Sequence, residues 1–72
     1  MAAEAAVRLA RAELNRAIAD QDLAESDLQR KRQLHKNNTI SQASLDMAVR
    51  EARAARASFD TAEAAIAMRL AE

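Results

Sequence analysis

The residues with chemistry to offer are few and widely spaced. His35 is the only histidine and there is no cysteine, so no cluster of nitrogen and sulfur ligands is available to hold a metal ion. Carboxylates pair at helical spacing, Asp22 with Glu25 and Asp60 with Glu63. General acid–base work needs a carboxyl whose pKa is raised in a desolvated pocket, and the surface of a helix supplies no such pocket. No serine has the histidine in a triad-like setting. The absence of glycine excludes a phosphate-cradling loop. The expectation is a protein that is not an enzyme, with no catalytic residue, no metal ligand and no cofactor.

One stretch remains that could recognise a partner. RKRQLHKNNTIS, Arg30 to Ser41, gathers Arg30, Lys31, Arg32 and Lys36 behind an acidic band of Asp20, Asp22, Glu25 and Asp27. Cations are favoured at the C-terminal end of a helix, where they complement the dipole. The same cations suit an arm that docks on carboxylates or backbone carbonyls, for which the arginine fork is well shaped. Leu34 is the second unusual residue. It falls beside the apolar seam rather than in it, on nearly the same face as Arg30, and either stands exposed or closes the end of a hairpin against Ile40 and Leu45. The helix drift of ~20° per heptad allows the second arrangement.

These residues need elements to carry them, and the composition says which. Seventy-two residues make one small domain. Twenty of the residues are alanine and Phe59 is the sole aromatic, so helix propensity is high while the bulk for a packed globule is missing. That composition belongs to a coiled coil or a long helical hairpin. Eleven basic and eleven acidic residues give zero net charge, which argues against a nucleic-acid or membrane-surface binder. No apolar run reaches the ~18 residues of a membrane span, and the start has no signal-peptide core. The chain is expected to be a fragment of a longer protein.

Steps of three and four residues trace two heptad seams. The first runs through Val7, Ala10, Leu14, Ala17, Gln21, Ala24, Leu28 and Lys31, the second through Leu45, Ala48, Ala52, Ala55, Phe59, Ala62, Ile66 and Arg69. Folding back about residues 36 to 37 sets Leu28 against Leu45, Gln21 against Ala52, Leu14 against Phe59 and Val7 against Ile66, with all-alanine layers between these four. Asn37 and Asn38 are suited to the left-handed conformation that ends a helix. Ser41 suits the N-cap of the next helix, with Ile40 and Leu45 at the spacing of a hydrophobic staple. Glu4 with Arg8, Asp27 with Lys31 and Asp46 with Arg50 are acid-before-base pairs at i,i+4. The expected fold is all-α, a two-helix antiparallel coiled-coil hairpin over residues 1–72, with helix one at about 3–35, a turn at 36–40 and helix two at about 41–71.

Arg30, three residues, Leu34, six residues, Ser41 resembles the tip motif of the periplasmic adaptor proteins, or membrane fusion proteins, of the HlyD/AcrA/MacA type. The surrounding DLQRKRQLHKNNTISQASLDMAVREARAARASFDTAEAAI is similar to their helical hairpin throughout. The turn departs from many relatives in having Asn37 and Asn38 where they have glycine. The resemblance implies a role, not a reaction. In such adaptors the hairpin projects from lipoyl and barrel domains, six copies form a tube, and the tips meet a TolC-type outer-membrane channel. By that likeness Arg30 makes polar contacts with the channel, Leu34 packs into an apolar groove there, and Ser41 contacts it while capping helix two. The full-length protein would be periplasmic, anchored to the inner membrane, and would reach an inner-membrane transporter through domains absent here. Two other readings stand beside this one: a structural coiled-coil arm of an unrelated protein and, lower, an RNA-binding arm, which the lack of tip aromatics disfavours.

Overall fold

The structure, a computed structural model, describes residues 2–71. Two α-helices make it up, α1 over Ala2–Lys36 and α2 over Gln42–Ala71. They lie side by side in a hairpin of 55 × 13 × 11 Å, the length expected of a helix of 35 residues at about 1.5 Å per residue. Neither is long and apolar enough to cross a membrane.

The seams form the interface. Every position of the first seam from Val7 to Lys31 is buried or half-buried, and so is every position of the second from Leu45 to Ile66. Arg69, counted as the next seam position, is exposed. An arginine at this open end keeps its charged head in water rather than in the apolar seam.

The register differs from the expectation by about one helical turn, because the turn comes later than residues 36 to 37. α1 runs to Lys36 and α2 begins at Gln42, which centres the fold-back near Thr39. The grooves along the hairpin agree. One brings Ala17 together with Ala57, Ser58, Thr61 and Ala62, and another sets Leu28 beside Val49 and Ala52. Leu28 is therefore level with Ala48, Ala17 with Phe59, and Ala10 with Ile66. At these levels bulk faces alanine, instead of large layers alternating with small ones, while Ala24 falls opposite Ala52 and Lys31 opposite Leu45. Among the described residues the buried ones are Ala10, Ala17, Leu28 and Ala48, and each of these alanines lies opposite a bulky side chain. Such layers hold the helix axes at an even separation, which all-large layers would splay.

Of the three expected i,i+4 ion pairs, one closes. Lys31 Nζ reaches Asp27 Oδ2 at 3.7 Å. Asp46 instead accepts a hydrogen bond from Gln42 Nε2 at 2.8 Å, and Glu4 and Arg8 are not within ion-pair distance among the described residues. Arg56 and Asp60 pair at 3.6 Å.

Candidate partner-docking tip

The tip is built by two capping devices set back to back. At the end of α1 the Thr39 amide donates to the Leu34 carbonyl at 2.8 Å and the Asn38 amide to the His35 carbonyl at 2.9 Å. These are the two bonds of a Schellman motif, which satisfy carbonyls that the ending helix would leave open. The motif needs one left-handed residue, and Asn38 supplies it with φ 59°. Asparagine tolerates that conformation better than other non-glycine residues, so the turn closes without glycine. Two residues on, the Ser41 hydroxyl accepts the Ser44 amide at 3.1 Å, and the Ser41 carbonyl accepts the first α2 amide, from Leu45, at 3.2 Å. Ser41 is the N-cap.

The three residues of the tip motif are each fixed in a different way. Arg30 stands on α1 with its side chain 70% exposed, and its Nη2 donates to Asp27 Oδ1 one turn earlier. The same carboxylate takes Lys31 from the other side. The hydrogen bond from Arg30 holds the Asp27 carboxyl below the usual carboxylate range against the opposing effect of desolvation, with smaller help from the charge of Lys31. Leu34 is half-buried, as are Ile40 and Leu45. Of the two arrangements open to Leu34, the structure adopts neither pure form: part of the side chain is covered at the hairpin end and part faces solvent. Ser41 is exposed. Its oxygen is engaged by the cap, which leaves its hydroxyl hydrogen free to donate outward.

Arg30 and Leu34 are four residues apart and so lie one above the other on α1, while Ser41 lies across the turn. The three belong to one end of the hairpin. Among the described residues no polar or charged side chain is buried, and no group of three or more His, Asp or Glu residues is placed to hold a metal ion. A surface of this kind can recognise a partner through a forked cation, a partly bare leucine and hydroxyl or backbone groups.

Seam counting overlooked one feature. Leu9 is 63% exposed, Leu23 72%, Met47 58% and Met68 67%. Leu9, Arg16, Leu23 and Arg30 recur every seven residues, as do Met47, Ala54, Thr61 and Met68, so each set forms a straight row along its helix. The signal was present in the heptad count, two positions beyond the first residue of each repeat.

A family model described as "RND MFP, alpha-helical hairpin domain" matches residues 2–69. Comparison with curated proteins gave no significant match, and neither did comparison with solved structures.

Proposed function

Because this chain belongs to the family of α-helical hairpin domains of RND membrane fusion proteins, we propose that it is the projecting arm of a periplasmic adaptor. The arm docks tip to tip on a TolC-type outer-membrane channel, in a tripartite efflux or type I secretion complex. The observation that carries this reading is the coincidence of Arg30, Leu34 and Ser41 with the one turn of a long hairpin, where Arg30 is solvent-facing and Leu34 is partly bare. Arg30 engages carboxylates or helix-end carbonyls of the channel, Leu34 enters an apolar groove between its helices, and Ser41 donates its free hydroxyl hydrogen. The adaptor lies in the periplasm and is tied to the inner membrane through parts outside this chain. It works as a ring of copies, six in the full-length protein, and meets its inner-membrane transporter through those same parts.

The test places Leu34→Asp and, separately, Arg30→Asp in the full-length adaptor and follows export and tip-to-channel cross-linking. Both are expected to fall to background while circular dichroism keeps its helical signal. Unchanged export overturns the docking role. A structural arm with no tip partner gives the reverse pattern: tolerance at Leu34 and loss on changing Leu14 or Phe59.

A further inference from the structure

Asp27 has no part in the tip motif, yet it is the carboxylate on which the motif's arginine rests. Its Oδ1 accepts from Arg30 Nη2, and Lys31 Nζ stands 3.7 Å from its Oδ2. The aspartate side chain is 25% exposed and the arginine 70%, so the carboxylate is the anchored member of the pair and the guanidinium the reaching one. Helical side chains lean toward the N-terminus of their helix, which lays Arg30 over the turn that carries Asp27. The bond engages one of the five N–H donors of the guanidinium. A two-nitrogen edge of the fork therefore stays open for a second pair of acceptor oxygens.

We propose that Asp27 is a positioning residue of the docking tip: it holds the Arg30 guanidinium against the shaft with the open edge of its fork presented to paired acceptor oxygens of the partner. The inference rests on the reading of Arg30 as a docking residue and adds how that arginine is aimed. An arginine free to sample its rotamers gives up that freedom on binding. One held beforehand has given it up already, and more of the contact then appears as affinity. The bond from Arg30 keeps the Asp27 carboxyl below the usual carboxylate range, so the brace is ionised at neutral pH. Pairs between exposed side chains add little to stability, which leaves the fold intact when this one is removed and makes its effect readable at the tip. A carboxylate that merely competed with the partner for Arg30 would act in the opposite sense, and its removal would tighten docking.

Two measurements test the role. In this chain, ¹⁵N relaxation of the Arg30 Nε–H reports how far the side chain is ordered. It is expected to be ordered in the native chain, averaged in Asp27→Asn and ordered again in Asp27→Glu, whose carboxylate still faces the next turn of the helix. Equal order in the native and Asp27→Asn chains overturns the proposal. In the full-length adaptor, tip-to-channel cross-linking is followed at graded channel concentration. Asp27→Asn is expected to weaken docking about fivefold, Asp27→Glu to stay close to native, and Asp27→Asn to change nothing further once Arg30→Gln is present. Asp46→Asn makes the same change of charge on α2 at the height of Arg30, and is expected to leave docking unchanged. Tighter or unchanged docking in Asp27→Asn, an equal loss in Asp46→Asn, or a further loss in the Arg30→Gln background overturns the positioning role. Circular dichroism confirms that each variant is folded. Docking that falls with Arg30→Asp but ignores Asp27→Asn sinks the positioning role alone, whereas docking that ignores both sinks the tip reading and the positioning role with it.

Discussion

Ser41 and Asn38 hold the tip in shape by different means, and their variants separate the two. Removing the Ser41 hydroxyl orphans the Ser44 amide that it accepts at 3.1 Å. Ser41→Ala is expected to cost about 1 kcal/mol and to lower the thermal midpoint by about 4–8 °C, with Ser41→Asp close to neutral. At Asn38, φ 59° opposes any branched side chain. Asn38→Val is expected to cost about 1–2 kcal/mol, whereas Asn38→Gly keeps the midpoint or raises it. Asp27 supplies a pH signature. Its carboxyl titrates below the usual range because Arg30 donates to it, so the contribution of this bond is complete above the unfolded carboxylate pKa of about 3.9 and is lost as pH falls through the lower folded value. A ¹³C titration of the Asp27 carboxyl should show that displaced midpoint, and Arg30→Gln should return it toward about 3.9. At this scale the sequence was informative about identity and less so about placement. The cap at Ser41 followed from hydroxyl chemistry and spacing. The half-burial of Leu34 did not, because it depends on the angle at which the chain leaves the Schellman motif.

Between the helices, stability depends on bulk resting on alanine. Leu28, level with Ala48, is the most covered of the large residues, and Leu28→Ala is expected to cost about 2–4 kcal/mol. Ala17→Met tests the opposite error. It adds volume beneath Phe59 and is expected to cost about 1–3 kcal/mol by forcing the helices apart. Thermal or urea unfolding followed at 222 nm measures both, with exposed Ala54→Met as a control near zero. The two seams were legible residue by residue, since a step of three and four needs nothing but the positions of apolar side chains. Their mutual register was not. Sliding one helix past the other by a turn keeps the heptad phase, so the choice was made by how far α1 runs into the turn, a matter of a few hydrogen bonds around Asn38 that apolar spacing does not encode.

For the whole molecule the governing fact is slenderness. A hairpin 13 × 11 Å across has little interior beyond a single seam, and among the described residues only Ala10, Ala17, Leu28 and Ala48 are buried. Unfolding such a rod uncovers little new apolar surface, so the urea dependence of its stability is expected to be shallow, and a slope as steep as that of a globular domain of the same length would contradict the single-seam interior. The overall shape was legible, because alanine-rich composition with zero net charge and one break in helical preference leaves few other folds. The exposed rows of leucine and methionine were legible too, yet a search for the seam passes over residues that fall outside it.

The hairpin is welded at one end and loose at the other. Capping bonds fix both ends of the turn, whereas Ala2 to Ala5 and Ala67 to Ala71 are all exposed. It is built like tweezers, and opening should begin where the prongs are free. Amide deuterium uptake ought then to advance along both helices as a front from base to apex, with Leu45 and its neighbours among the last to label. Whatever grasps the apex grasps the stiffest part, and whatever joins the prongs at the base supplies the closure that the seam lacks there.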